Sequence, residues 1–162
     1  MHTYIIRGSP TPWARARQNG RQFYDSQRPI KNTWAISLEN QAEGQPFYQK
    51  TPLHLEAVFY FEPPISYKPL TRINMMGKPC ILKKDLDNLI KFLLDTVTSI
   101  LIDDDAHVYS INAQKIYDAE ARTEFSFTPF QDSPIQKTNS EPQSRYLKDS
   151  YPFNYNFSNK GK

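Results

Sequence analysis

Two aspartates and a lysine lie at the start of the most regularly amphipathic stretch of the chain. In KKDLDNLIKFLLD, residues 83–95, Asp85 and Asp87 are two positions apart and Lys91 follows Asp87 by four. Two carboxylates at that spacing point the same way in an extended segment, and at a helix start they lie among unpaired backbone N–H groups. Either geometry brings oxygens within reach of one hard cation such as Mg²⁺, which also binds phosphate oxygens. The pattern therefore predicts a metal site for phosphate chemistry, with the Lys91 ammonium one turn along the same face.

A second interpretation of these residues needs no ligand. Asp85 would cap the helix, Asp87 would stabilise its dipole, and Asp87 with Lys91 would form a surface ion pair worth about 0.3 kcal/mol. The run DDD at residues 103–105 favours the metal site, because three adjacent acids repel one another and have no use in packing. Near the first pair they would complete the site, and elsewhere they would form a solvated turn.

Composition limits the kinds of protein that could hold such a cluster. The 162 residues are about one domain's worth, and 38% hydrophobic and 14% aromatic residues suffice for a core. The single Cys80 cannot form an internal disulfide, and the N-terminal MHTYIIRG does not have the pattern of a signal peptide. No run approaches the ~20 apolar residues of a membrane helix. We therefore expect a soluble, cytoplasmic protein without a membrane partner.

Charge is distributed unevenly along the chain, although the net charge is only +3. Residues 1–34 carry six bases against one acid, residues 63–84 carry five bases and no acid, and residues 85–130 carry nine acids against three bases. Basic arms suit a polyanion such as nucleic acid, and an acidic centre suits a divalent metal. The alternative is a solvated charged surface. The candidate nucleic-acid-binding residues are Arg15, Arg17, Arg21, Lys68, Arg72, Lys78, Lys83 and Lys84.

Hydrophobic periodicity indicates the elements that would position these residues. TYIIR reads as a short strand, a loop rich in Pro and Gly covers residues 8–29, and a first helix is predicted from an N-cap at Ser26 to Gly44. PLHLEAVFYF alternates in the manner of a half-buried strand. Residues 63–84 show no periodicity and are predicted to form a long, mobile basic loop.

The acidic motif lies on a second predicted helix. Apolar residues recur at helical spacing from Leu86 to Leu101, with Asp87, Lys91 and Asp95 on the polar side. Further on, AHVYSINAQKIY and RTEFSFT are predicted to be two strands of a hairpin joined around DAEA. The order strand, helix, strand, helix, hairpin predicts an α/β (α+β) domain in which two main helices pack on a small mixed sheet.

Composition changes after Phe130. Residues 131–162 are dominated by Ser, Asn, Gln, Lys and Pro, and such a segment buries little apolar surface. The sequence therefore predicts a domain of residues 1–130 and a polar, disordered tail of residues 131–162. An added edge strand or a set of base-stacking rings remains an alternative for the tail. Its four alternating rings are Tyr151, Phe153, Tyr155 and Phe157.

The acidic helix start resembles that of the RusA-like Holliday-junction resolvases of bacteria and their phages. DLDNLIKFLLD is similar to the family's Asp-x-Asp-Asn-Leu-x-Lys-x-x-x-Asp, and DDAHV follows at the family's spacing, similar to Asp-Asp-Ala-Gln-Val. GSPTPWARAR and YDSQRPIKNTW resemble the family's Pro- and Arg-containing loop and first helix. The chain departs from the family pattern with Ser99 for a frequent Gly, Ile102 for a common Trp and His107 for the usual Gln.

The resemblance implies an activity and a set of site residues. Carried over by position, the metal-binding carboxylates fall on Asp85, Asp87 and Asp105, the catalytic lysine falls on Lys91, and Asp104 is a further candidate ligand. The family implies a homodimer that nicks two strands of a four-way DNA junction symmetrically, with Mg²⁺, or Mn²⁺ in its place, as cofactor. The reaction would be metal-assisted phosphodiester hydrolysis. The alternative from another class is a non-catalytic basic DNA-binding module of phage origin.

Overall fold

A computed structural model describes residues 2–19 and 22–131. The elements in chain order are β1 (Tyr4–Arg7), β2 (Arg17–Asn19), β3 (Gln22–Tyr24), α1 (Arg28–Ala42), β4 (Leu53–Phe61), α2 (Pro69–Met75), α3 (Leu86–Val97), a 3-10 turn (Asp105–His107), β5 (Val108–Tyr117) and β6 (Arg122–Pro129). Four strands form one mixed sheet, and β2 and β3 form a separate two-stranded sheet. The predicted α+β class, with two main helices and a small mixed sheet, is confirmed.

The four-stranded sheet has the order β1-β6-β4-β5. β4 runs parallel to β5 and antiparallel to β6, and β6 runs antiparallel to β1. The two last strands therefore do not form the predicted hairpin, because β4 lies between them. Their connection passes the end of β4, where the Asp118 N–H donates to the Phe61 carbonyl at 2.9 Å. The sequence could not indicate this, because the alternation of apolar and polar residues along a strand does not depend on which strand lies beside it.

One face of the sheet forms the core together with α1 and α3. The alternating residues predicted for β4 are all buried, namely Leu53, Leu55, Ala57, Phe59 and Phe61. Trp34 of α1 meets Phe92 of α3 edge to face, with ring centroids 5.1 Å apart. Full burial of each such side chain contributes about 1.5–3 kcal/mol of transfer free energy. This packing fixes the helix that carries the acid pair against both α1 and the sheet.

The ends of both main helices differ from the prediction. The N-cap of α1 is Gln27 rather than Ser26, and the helix ends at Ala42. α3 ends at Val97 and does not continue to Leu101, although Leu101 is buried in the turn that follows. Helical spacing of apolar residues reports burial on one side, and a turn that folds back onto the core extends that pattern beyond the helix.

The two segments predicted to be loops contain regular structure. Residues 8–29 include the hairpin of β2 and β3, and residues 63–84 include α2. The chain after α2 also pairs with the outer edge of β5, because the Cys80 N–H donates to the Lys115 carbonyl and the Tyr117 N–H donates to the Lys78 carbonyl, both at 2.9 Å. Backbone pairing and a short helix with no buried residue leave no periodic apolar signal in the sequence.

Several sequence predictions fall on residues 132–162, which lie outside the described residues. They include the polar tail with its four alternating rings, so the division at residue 130 stays a prediction. Arg21 also lies outside the described residues. Among the described helices, none combines the length and apolar character needed to cross a membrane.

Candidate active site

The N-terminus of α3 carries the predicted acid pair. Asp85 precedes the first helical residue with an extended backbone, and its side chain makes no capping hydrogen bond. Asp87 lies in the first turn, and both side chains are exposed. Within residues 2–19 and 22–131, neither carboxylate has a hydrogen-bond or ion-pair partner. The interpretation of Asp85 as a side-chain cap is therefore wrong, and both carboxylates are available to a ligand.

Lys91 lies one turn beyond Asp87 on α3. Its ammonium lies over the indole ring of Trp13, 3.6 Å from the ring centroid. In the part of the chain that the structure describes, no ion pair joins Lys91 to Asp87, so the predicted surface ion pair is wrong. Sequence reasoning missed Trp13, because a single aromatic residue in a Pro-rich loop carries no spacing that relates it to a helix far along the chain.

The first aspartate of the DDD run is committed to the fold. Burial alone would raise the pKa of Asp103, but the Lys50 N–H and the His107 ring bond its carboxylate and hold the pKa below its usual value. The Lys50 N–H donates to Oδ2 at 3.0 Å, and His107 Nδ1 lies 2.8 Å from Oδ1. Both oxygens of Asp103 thus have protein partners, and this side chain ties the turn to the segment before β4.

The other two aspartates of the run face solvent. Asp104 Oδ1 accepts the Ala106 N–H at 2.9 Å and so caps the 3-10 turn in which Asp105 is the first residue. The Asp105 side chain is exposed and has no partner among the described residues. Of the three adjacent acids, Asp105 is therefore the one whose carboxylate oxygens are both available.

The donor chemistry of the acids suits a hard divalent cation, since carboxylate oxygens are the ligands that Mg²⁺ and Mn²⁺ prefer. However, these carboxylates do not form a complete metal site. In the described segments, no group of three or more His, Cys, Asp or Glu side chains is placed to hold a metal ion. The structure therefore leaves Asp85, Asp87 and Asp105 as individual free carboxylates rather than as a preformed three-carboxylate site.

The segment directly before the acid pair is braced by two lysines. The Lys84 ammonium donates to Ser9 Oγ at 3.1 Å and to the Pro10 carbonyl at 3.0 Å, and burial lowers its pKa. The Lys115 ammonium on β5 donates to the carbonyls of Leu82 and Lys84, at 3.1 and 2.7 Å. Sequence reasoning missed Lys115 because β5 is distant along the chain. These contacts fix where α3 begins.

A buried lysine joins α1 to the far end of the acidic motif. Lys31 is buried, and its ammonium lies 3.2 Å from Asp25 Oδ2 and 3.5 Å from Asp95 Oδ2. Asp95, predicted on the polar face of α3, is thus held against α1. Removing both acids would leave the buried charge of Lys31 without these two partners, which is destabilising.

The remaining candidate DNA-binding residues are mostly solvent-facing. The exposed ones are Arg15, Arg17, Lys68, Lys78 and Lys83. Arg72 is half-buried, and its Nε is shielded from solvent without a hydrogen-bond partner in the described part of the chain. DNA contact by these side chains stays a prediction.

A family model described as Endodeoxyribonuclease RusA matches residues 7–127 of the chain. The matched range is more than half of the 162 residues and extends from the end of β1 into β6. It includes the acid pair, Lys91 and the DDD run. A comparison with curated proteins finds no match.

Proposed function

Because the chain belongs to the RusA endodeoxyribonuclease family, we propose that it resolves Holliday junctions by metal-dependent hydrolysis of two opposed phosphodiester bonds. The observation that carries the proposal is the family match across the site, where exposed and unpartnered Asp85 and Asp87 begin the helix that bears Lys91. A helix start made only for stability accounts for Asp87, whose charge in the first turn stabilises the helix dipole, but leaves the Asp85 carboxylate without a role.

We further propose that Asp85, Asp87 and Asp105 hold a divalent cation, Mg²⁺ or Mn²⁺. When bound, the cation would lower the pKa of a water and neutralise charge that builds on the phosphate. Asp104 keeps Oδ2 for a water or an outer hydrogen bond, because Oδ1 already caps the 3-10 turn. The free carboxylates support this assignment, since an unpaired acid loses no protein contact when it takes a ligand.

The chain's own positive groups would act on the phosphates. The Lys91 ammonium would stabilise the charge that develops on the scissile phosphate, because a cation already held in place needs less reorganisation than water does. Arg15, Arg17 and Arg72 would bind flanking phosphates and fix the junction arms. Lys84 supports the site differently, since its ammonium already holds Ser9 and Pro10.

We propose that the active form is a homodimer. A four-way junction has approximate two-fold symmetry, and paired incisions require two active sites related by a two-fold axis. A candidate contact surface is the apolar surface around α2, where Ile65, Leu70, Ile73 and Ile81 are 88%, 69%, 64% and 85% exposed. These four large apolar side chains, exposed within residues 65–81, are candidates for such a contact.

The proposal is tested with a synthetic four-way junction and a linear duplex of the same sequence as the matched control. We expect nicks at symmetric positions in two opposed strands of the junction, only when Mg²⁺ or Mn²⁺ is added, and little cleavage of the duplex. Tight junction binding without nicking in either metal would instead favour a non-catalytic DNA-binding module.

A further inference from the structure

The backbone around Trp13 is fixed from two sides. The Trp13 N–H donates to the carbonyl of Asn88 in α3 at 2.7 Å. The buried side-chain amide of Gln27 then brackets the residue, because its Oε1 accepts the Ala14 N–H at 2.7 Å and its Nε2 donates to the Pro12 carbonyl at 2.8 Å. Both peptide groups that flank Trp13 are therefore held, the preceding one through its carbonyl and its N–H, so the residue has little freedom to shift.

The ring so placed packs against the core and also carries a cation over its face. Trp13 is half-buried and packs against the core, and the Lys91 ammonium lies 3.6 Å from its ring centroid. Lys91 is exposed, and a lysine side chain on a helix surface ordinarily samples many rotamers. Attraction between the cation and the indole face reduces that freedom.

An aromatic ring is a particular kind of partner for an ammonium group. A carboxylate would neutralise the charge of Lys91 and would occupy one or more of its three N–H donors. The ring face attracts the charge through its quadrupole and accepts no conventional hydrogen bond. The ammonium can therefore be held in place while its donors and its full charge remain available to an incoming phosphate.

We propose that Trp13 is a positioning residue that holds the Lys91 ammonium ready for the scissile phosphate, with Gln27 fixing Trp13 in turn. This role rests on the proposed function, in which Lys91 acts on that phosphate. Placing a reacting group before the substrate arrives raises the rate of the chemical step, and displacement by about 1 Å can cost 100-fold.

The contact itself is tested without reference to cleavage. Protons of the Lys91 side chain beside an indole face should resonate upfield of other lysines in a spectrum of lysine-labelled full-length protein, and Lys91→Arg identifies the signal by removing it. We expect Trp13→Leu to return the shifted signal to the ordinary lysine position. An unshifted Lys91 signal in the native protein would overturn the positioning role.

The consequence is tested by single-turnover cleavage at saturating junction and metal. Trp13→Leu keeps an apolar side chain but no ring face, so we expect the rate to fall roughly 10- to 100-fold. Trp13→Phe should recover most of that loss, and junction affinity should change less than about twofold in both variants, as expected when only the chemical step is affected. Equal losses in the two variants, or a loss that follows their melting temperatures, would overturn the proposal.

A double variant separates action through Lys91 from direct contact with DNA. Lys91→Ala should already remove the benefit of the ring, so Trp13→Leu with Lys91→Ala should be no slower than Lys91→Ala alone. A further loss in the double variant would overturn the proposal, because Trp13 would then act independently. Lys91→Ala that cleaves at the wild-type rate would overturn the role of Lys91 and that of Trp13 with it. An unshifted resonance overturns the role of Trp13 alone, whereas a wild-type protein that does not cleave the junction overturns the proposed function.

Discussion

At the scale of single residues, the contacts of each acid decide which carboxylates can act on a ligand. Asp103 uses both oxygens inside the protein, Asp104 uses one to cap a turn, and Asp105 uses neither in the described structure. Three adjacent residues of one type thus have three different roles. The family pattern, carried over by position, places a metal ligand at Asp105, which is also the residue whose carboxylate has no partner among the described residues.

We predict a graded series for these acids. Asp105→Asn should abolish cleavage, Asp104→Asn should weaken it, and Asp103→Asn should be nearly silent in the cleavage rate, since Asn still accepts the Lys50 N–H. The cleavage rates should be compared across a metal titration. Extra metal should restore the rate of a variant with a weakened outer hydrogen bond more readily than that of a variant that lacks a metal ligand. A silent Asp105→Asn with an inactive Asp103→Asn would mean that the transferred register is wrong by two residues.

At the scale of elements, the turn after α3 holds a serine in a backbone conformation that favours glycine. Ser99 has φ 72°, in the left-handed region, and its N–H donates to the Ile102 carbonyl at 2.7 Å. Non-glycine residues pay about 1–2 kcal/mol for that conformation. The frequent Gly at this position of the family pattern has a physical reason in this geometry.

Ser99→Gly should therefore stabilise the protein. Relief of the left-handed conformation outweighs the larger unfolded-state entropy of Gly, so we expect the free energy of unfolding to rise by about 0.5–1 kcal/mol. Chemical denaturation of the wild type and of Ser99→Gly measures this difference. Ser66→Gly, at an exposed site without a positive φ, is the control and should lower stability. No gain from Ser99→Gly would show that the turn is unstrained.

The edge strand β1 should give the protein a measurable alkaline pH dependence. Burial, with a smaller contribution from Tyr48, raises the pKa of Tyr4 from 10.0 to about 12. The unfolded chain releases this proton first, so the stabilising contribution is complete below pH about 10 and is lost as pH rises towards 12. We expect the unfolding free energy of the wild type to fall more steeply than that of Tyr4→Phe over this range. Parallel curves would contradict the burial of the Tyr4 hydroxyl.

Elements with a periodic apolar face were predictable from the sequence, and elements without one were not. β4 and α3 each bury one face, so alternation and helical spacing indicated both. α2 buries no residue, and residues 77–80 pair with β5 through backbone hydrogen bonds. The acid pair and Lys91 were predictable because they are close in sequence. Trp13 and Lys115 were not, because only folding brings Trp13 to α3 and Lys115 to the segment before it. Gln27 was not, because its amide acts on the backbone around Trp13.

At the scale of the whole molecule, paired incisions across a junction require two copies of the chain. We predict a dimer in solution, measured by light scattering at micromolar concentration with and without junction DNA. Ile73→Lys, on the exposed side of α2, should shift the mass towards a monomer, because a charged side chain would have to be buried in an apolar contact. Asn40→Lys adds the same charge at an exposed polar site on α1, outside this surface, and serves as the control. A wild-type monomer under both conditions would contradict the dimer, and an unaffected Ile73→Lys dimer would exclude this surface.

The central claim is that the free carboxylates at the start of α3 serve catalysis rather than folding or DNA binding. The most direct measurement compares junction binding and metal-dependent cleavage of wild type and Asp87→Asn in parallel. We predict that Asp87→Asn loses cleavage, keeps its melting temperature and binds the junction as tightly as wild type or more tightly, since a negative charge near phosphate is removed. Cleavage by Asp87→Asn at the wild-type rate in Mg²⁺ would contradict the account.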